Sequence, residues 1–541
     1  MTTRKILHIF RRDHRLTDNT ALLSACDIKN AEIIPIFIFT HKQIRDNPLK
    51  SDRCVKFMCE SLIDLNSQLE EKGSKLLIVY GDELEILERI FSHNPDIYGV
   101  SFNIDYTEYA LKRDQQIIDL IMKLRPINST TTNPNNSTTS TTSTTSAKSI
   151  TTSKKQPIKI DIENVDNRAN RTINELLANL PENIIIREDY MINPVNTILT
   201  TGKKMYTKYT PYYRASLVNA LKHVPEPRDN NCRNYASGAI LSRIVKNSRI
   251  GVISATHTNL SQFYQLQPTE KLLERGGRTR ALEILGELRN WRNYDELRDQ
   301  LTYNTTHLSP FNKFGCISCR EVFHTMRDKL GPNCGLIAQM IWRDFFYNLS
   351  FNHPEIYRQS MNPKFAHINW PETNETRKRF TAWCQGYTGY PIVDACMREI
   401  NQSGYMHNRG RLIVANFLSR LLQVDWRKGE HYFARNLYDY DPALNNFGWQ
   451  ICATVSGTES RPLNQTIFNP WLQSAKFDPD AEYIKKWLPE LKDIPANKLH
   501  RWNEFGEDIL KNNKNIKYCL PIVEYLDEKE KNLKLYKQSY K

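Results

Sequence analysis

No stretch of this 541-residue chain approaches the roughly eighteen apolar residues that a membrane-spanning helix needs. The opening MTTRKILHIFRRDHRL has a mostly apolar core of only five residues, Ile6 to Phe10, before further arginines, which does not suit a secretory leader. A soluble, intracellular protein is expected. Glycine is sparse, with 20 residues, and no GxGxxG occurs, so a dinucleotide-binding Rossmann fingerprint is lacking. The 11 cysteines are scattered, with one CxxC pair, Cys316 and Cys319; zinc would need two more ligands at matching spacing, so no metal site and ordinary reduced thiols are expected. Acidic residues are in deficit, 60 against 74 basic, for a formal charge of +14. Such an excess suits encounters with phosphate backbones, and equally suits plain solubility.

A chain of this length exceeds a single core, and two or three domains are expected. From Lys5 onward KILHIF, AEIIPIFIF, KLLIVY and DIYGVSF alternate with helical stretches such as Cys54 to Leu69 and Leu84 to Phe91. That alternation predicts an α/β domain over 1–210, with a parallel sheet and helices on both faces, Rossmann-like in outline. An Asn/Ser/Thr-rich insertion at 128–158 cannot bury enough apolar area to offset the entropy of ordering, which predicts disorder there. A connector follows at 211–270. From 271 to 512 the period is helical, as in Leu282, Leu285, Leu288 and Trp291, and 513–541 reads as a polar tail.

Helix signals, charges and aromatics are densest between Gly386 and Gln450. Gly389 and Pro391 punctuate a helix whose Ile392, Val393, Ala395, Met397 and Ile400 share one face. A second helix, about Arg409 to Trp426, is too apolar all round for a surface position. Arg409 and Arg411 therefore need acceptors, and the nearest dense acidic group is Asp439 and Asp441. DYDPALNNFGWQ places two carboxylates, two amides and a tryptophan together, which suggests a site.

The pieces TGYPIVDACMREI, GYMHNRGRLIVANFL, DWRKGEHYF, YDYDPALNNFGWQ and IFNP, with RRDHRLTDNTAL, TTHLSPFNKFG and IWRDFFYNL outside that stretch, resemble the photolyase/cryptochrome family of flavoproteins and run in its order. The resemblance implies a mainly α-helical C-terminal FAD-binding domain. It places Tyr294, Thr305, Thr306, Leu308 and Ser309 at the FAD pyrophosphate side, with Arg343 adding a cation. Arg411 and Asp439 match an ion pair beside the isoalloxazine ring, Asp441 an acidic residue at the ribose or ring edge, and Asn445 the position facing flavin N5; Gln339 and Asn408 line the same site. Trp449, Trp426 and Trp370 match a tryptophan chain for electron transfer. Spacing alone reads these differently: Thr306 or Ser309 as an N-cap, Asn445 and Asn446 as a turn, each tryptophan as core.

The resemblance further implies light-driven DNA repair by a deoxyribodipyrimidine photolyase acting on cyclobutane pyrimidine dimers in single- or double-stranded DNA, working as a monomer. Trp342 would stack on the extruded lesion, Gln339, Asn408 and Leu412 would contact it, and Arg298 and Arg409 would hold backbone phosphate. Asn408 and Leu412 stand where enzymes for (6-4) photoproducts carry histidines, which favours the cyclobutane lesion. Other positions depart from that type: Gln339 replaces a glutamate, Leu412 a methionine, Ile451 a tryptophan, Thr466 an arginine with Arg461 as a candidate substitute, and His307 an arginine. A (6-4) photolyase and a cryptochrome photoreceptor therefore stay open as alternatives, as does a light-independent binder of single strands. A second, antenna chromophore is implied for the α/β domain, but Ala110 stands where folate binders place an acidic residue, with Glu108 nearby, so neither folate nor deazaflavin is assigned.

Overall fold

The computed structural model describes residues 3–126, 171–267, 270–458 and 461–539. The predicted 128–158 insertion lies outside the described residues. Among the described residues six strands form one sheet in the order β5-β4-β1-β2-β3-β6. They are β1 (Arg4–Phe10), β2 (Ala31–Phe39), β3 (Leu77–Tyr80), β4 (Ile97–Asn103), β5 (Ile184–Arg187) and β6 (Val252–Ile253). β1 to β5 pair in parallel, as the alternating pattern predicts, and β6 joins β3 antiparallel. That edge strand comes from the stretch read as a connector.

Side chains alternate across the strands, and the two faces have different partners. Ile6, Phe10, Ile33, Phe37 and Phe39 share a core with Phe57, Phe311, Phe314, Phe323 and Phe345, so this face packs on the helical part of the chain. Leu7, Ile9, Ile34, Ile36 and Ile38 pack with Leu87, Ile90, Ile117, Ile118 and Ile121 from the helices Glu83–His93 and Glu108–Leu124. A third core, around Trp383, Trp426, Trp449 and Trp502, is built from the C-terminal part of the chain, between Leu301 and Tyr536.

The loop after β1, read in the sequence only as basic, is buried and locks the sheet to the helices. Arg12 donates to Asp105 (3.1 Å), to the Lys313 carbonyl (3.1 Å) and to Asp441 (2.7 Å), and also to the Tyr347 hydroxyl. Arg15 and Arg320 converge on Asp189 at 2.5 and 2.8 Å. Gly315 is required here: in a left-handed turn (φ +59°), its absent Cβ would lie 2.1 Å from the Arg12 carbonyl.

Three expectations are revised. The segment read as a polar tail carries the helix Tyr525–Gln538, whose Glu528, Asn532 and Tyr536 are buried, and Ile522 N–H donates to the Thr388 carbonyl at 3.0 Å. The helix expected from Arg409 to Trp426 runs Asn408–Asn416, continues as a π-helical turn Phe417–Leu421, and stops where Gln423 adopts φ +56°. Trp426 opens the next helix, capped by the Asp425 side chain. Finally, Cys26 and Cys232 are joined in a disulfide, tying the first helix to the connector, where reduced thiols had been expected.

Candidate functional site

The helix Pro442–Cys452 organises the site. Asp441 caps it, with Oδ1 accepting from the N–H groups of Ala443 (3.1 Å) and Leu444 (3.4 Å), and Pro442 occupies the first turn, where no amide hydrogen is needed. From that start the helical period puts Asn445 and Trp449 on one face. The facing helix Trp426–Asn436 supplies Glu430, whose backbone carbonyl and Oε1 accept from the Asn445 amide at 3.0 and 2.9 Å. Asn445 is thus held by its side-chain nitrogen rather than forming a turn. Glu430, which the sequence reading missed, is buried; burial pushes its carboxyl up to about 7, against the hydrogen bond from Asn445.

Trp449 is buried and makes edge-to-face contacts with Phe433 (5.0 Å) and Trp383 (6.0 Å). Its indole lies over Gly429, where a Cβ would come within 2.1 Å of the ring, and its Nε1 is buried without a partner. Trp426 is buried in the same core. Trp370 is nearly buried and meets Tyr536 of the last helix edge-on at 6.0 Å. Trp383, the direct ring neighbour of Trp449, was not singled out from sequence, because a lone tryptophan at helical spacing carries no mark beyond core packing.

A polar group forms where the helices Ser309–Phe314 and Asn408–Asn416 approach Asp439. Asp439 Oδ2 accepts from Arg411 (2.9 Å) and Ser309 (2.7 Å), while its Oδ1 is buried with no partner. Arg411 also donates to the Met406 carbonyl and lies over the Tyr405 ring, whose hydroxyl meets Thr305 at 3.2 Å. Thr306 and Leu308 are buried, the Leu308 N–H reaching the Thr306 hydroxyl at 3.4 Å. His407 caps the second helix through Nδ1 and leaves Nε2 buried and unpartnered; burial, with Arg409 and Arg411 nearby, pushes it down to about 4, so it is neutral at pH 7.

Other predicted residues lie elsewhere or have other partners. Asp441 serves the interdomain lock: burial would raise its carboxyl, but Arg12, Lys313 and Arg343 outweigh that and hold it at about 2. Its oxygens are taken by the helix cap, Arg12 and Tyr347, which competes with a place at a ribose or ring edge. Arg343 is buried, donates to the Tyr190 carbonyl and lies over Tyr347. Tyr294 is half-buried on a short helix and borders a cavity of about 400 Å³ with Trp291, Arg292, Asp295 and Leu336. Arg409 pairs with Asp299 at 2.7 Å, not with Asp439 or Asp441, and lies over Phe477. Gln339, Trp342 and Leu412 are half-buried, and Asn408 and Arg298 are exposed. The Thr466 hydroxyl accepts from buried Arg420 at 2.8 Å, and Arg461 is exposed. Glu108 pairs with Arg358 at the surface. Among the described residues no group of His, Cys, Asp or Glu is arranged to hold a metal ion. Cys316 and Cys319 are buried thiols, their pKa raised by burial to about 11 and about 12.

The architecture is thus of the two-domain class in which a parallel α/β domain is locked onto a helical domain, here with a half-matched carboxylate, a fixed amide and a cluster of tryptophans in the helical interior. A family model described as the FAD binding domain of DNA photolyase matches residues 336–538, and one described as DNA photolyase matches residues 6–160. The chain belongs to the photolyase/cryptochrome family. It is 27% identical over 545 residues to the deoxyribodipyrimidine photo-lyase of Escherichia coli strain K12, covering 98% of each chain. A bacterial class III photolyase from Agrobacterium tumefaciens superposes with a TM-score of 0.77 at 27% identity, over 100% of this chain and 98% of that one. An archaeal photolyase from Sulfolobus tokodaii, solved with two FAD molecules, gives 0.74 at 29%, over 99% and 100%.

Proposed function

We propose that this protein is a light-driven DNA repair enzyme, a deoxyribodipyrimidine photo-lyase that splits cyclobutane pyrimidine dimers, with FAD as its cofactor. The observation that carries this reading is Asp439, which is fixed by Arg411 and Ser309 yet keeps one buried oxygen unmatched. A buried, unsatisfied acceptor costs about 1–3 kcal/mol, which a donor on a bound molecule would offset. The hydroxyls of Thr305 and Thr306 and the Arg411 guanidinium as donors, with the Asp439 and Asn445 side-chain oxygens as acceptors, form a set that fits a flavin dinucleotide, which the match to an FAD-binding family model also supports.

When bound and reduced, FAD supplies an electron to the lesion on absorbing blue light and takes it back after the bonds open. The residues of this chain have separate tasks. Arg411, Asp439 and Ser309 orient the ring system. Asn445, held by Glu430, keeps its side-chain oxygen free to accept a proton-bearing partner. Burial of Trp449, Trp426 and Trp370 excludes water from an electron relay toward the surface. Trp342 stacks on the extruded lesion, Gln339, Asn408 and Leu412 contact it, and Arg298 and Arg409 hold the DNA backbone. The damaged pyrimidine pair is the part of a duplex that costs least to extrude. We take the enzyme to act as a monomer on single or double strands. Among the described residues no helix is long and apolar enough to cross a membrane.

The test is an absorption spectrum of the purified protein followed by blue-light repair of an oligonucleotide with a single thymine dimer. Flavin bands and light-dependent repair are expected, and a colourless protein or an intact dimer would refute the proposal. Gln339 favours a second reading, repair of (6-4) photoproducts, and the same assay with that lesion separates the two. Trp449→Phe is expected to slow photoreduction of oxidised flavin at least tenfold while leaving dark DNA binding unchanged. An unaltered photoreduction rate would remove Trp449 from the relay.

A further inference from the structure

We propose that Tyr209 is a positioning residue of the lesion pocket, fixing the indole of Trp342 so that its other face is presented to an extruded base; this rests on the reading of Trp342 given above. Tyr209 opens the helix Tyr209–His223, in the stretch that links the two domains. Its ring lies flat on Trp342, with centroids 3.4 Å apart and planes 8° from parallel. The phenol donates to the Ala338 carbonyl at 2.8 Å, one turn before Trp342 on the helix Gly335–Asn352. Ring and hydroxyl therefore grip the same helix at two points, and the orientation of the indole follows from that grip.

The surroundings make Tyr209 a floor rather than a displaceable lid. Phe345 meets its ring edge-on at 5.8 Å, Tyr213 lies at 5.8 Å, and the helix is seated in the core through Tyr212, 5.1 Å from Phe345. Burial pushes the Tyr209 hydroxyl above its ordinary range, so it stays a neutral donor. Phe345 (5.9 Å, edge-on) and Phe346 (5.3 Å, tilted) also touch Trp342, which is only half-buried. A planar side chain with one face covered and its rotamer fixed loses little freedom when a base stacks on the open face. A free indole would have to be ordered on binding.

The experiment measures dark binding of the flavin-loaded protein to one oligonucleotide with and without a thymine dimer, for wild type, Tyr209→Met, Tyr209→Leu, Tyr209→Phe, Trp342→Ala and the double variant Tyr209→Met/Trp342→Ala. Loss of the flat ring in the Met and Leu variants is expected to weaken binding to dimer DNA about fivefold and to leave undamaged DNA unchanged. Tyr209→Phe, which keeps the ring and loses only the bond to Ala338, is expected to bind within about twofold of wild type. In the Trp342→Ala background the Tyr209→Met effect should vanish, because its route is gone. A Trp342→Ala protein that still prefers dimer DNA would overturn the pocket reading and this proposal with it. If Trp342→Ala abolishes the preference while the Met and Leu variants keep it, Tyr209 alone is ruled out. Equal weakening on both DNAs, or a Tyr209→Met effect that persists without Trp342, would reduce Tyr209 to a packing residue. Should the Met and Leu variants fail to hold flavin, Tyr209→Phe decides: weakening beyond about tenfold would place the effect in the hydroxyl and overturn the stacking argument.

Discussion

Asp439 and Asp441 stand two residues apart and belong to different parts of the molecule. Asp441 faces the domain seam, where its oxygens are matched by two helix amides, Arg12 and Tyr347. Asp439 faces the candidate flavin site, where one oxygen takes Arg411 and Ser309 and the other is buried with nothing to bond. Both are buried aspartates paired with an arginine, so charge and burial alone do not separate them. What separates them is saturation: a fully matched carboxylate holds structure together, and a half-matched one has capacity left for another molecule.

The largest effect that sharpens this contrast is expected at the seam. Arg12→Ala leaves Asp441, Asp105 and the Tyr347 hydroxyl without their shared donor, at a cost of about 3–5 kcal/mol in urea unfolding. Flavin affinity of the folded fraction should be little changed; a loss of flavin equal to that in site variants would erase the distinction between the two regions. At the site, Asp439→Asn keeps the shape and removes the charge. Flavin retention is expected to fall about tenfold, roughly 1.4 kcal/mol, with a smaller change in stability of the flavin-free protein. Titration of flavin against each variant checks both statements.

A further contrast is in pH dependence, where the regions have opposite signs. The Asp441 carboxyl is held at about 2, below its unfolded value, so its contribution is present above about pH 4 and is lost as pH falls toward 2. Glu430 is raised to about 7, so the folded state binds its proton more tightly than the unfolded state does, and stability drops as pH rises from about 4.5 to 7. Glu430→Gln should flatten that alkaline-side decline, by on the order of 1–3 kcal/mol, in thermal midpoints measured from pH 4.5 to 8. A variant that declines as steeply as wild type would show that Glu430 titrates normally.

Much of the fold was legible beforehand because it depends on local period. Alternating β and α segments predicted the parallel sheet, and Gly389 with Pro391 predicted the helix that runs Pro391–Ser403. A buried guanidinium's need of an acceptor pointed Arg409 and Arg411 alike to Asp439 and Asp441, and only the family resemblance named the pair Arg411 and Asp439; Arg411 bonds Asp439, whereas Arg409 pairs with Asp299. Arg12 and Arg15 were misjudged as a basic loop, since their acceptors Asp105, Asp189 and Asp441 lie 93 to 429 residues away in sequence. The tail was misjudged for a related reason. Charged residues dominate the helix Tyr525–Gln538, and contacts such as those with Phe365, Trp370, Arg420 and Ala453 reveal that Tyr536 is core.

The order of residues along the chain by itself set the alternation of strands and helices in the first part, the helical period of the second and the family, because each follows from spacing between neighbours or from motifs read in sequence. The tertiary structure alone decided which of two aspartates two residues apart is saturated, which glutamate holds Asn445, and which ring lies on Trp342. Those outcomes depend on how separate helices and loops are brought together in space, and no local propensity encodes a distance of that kind.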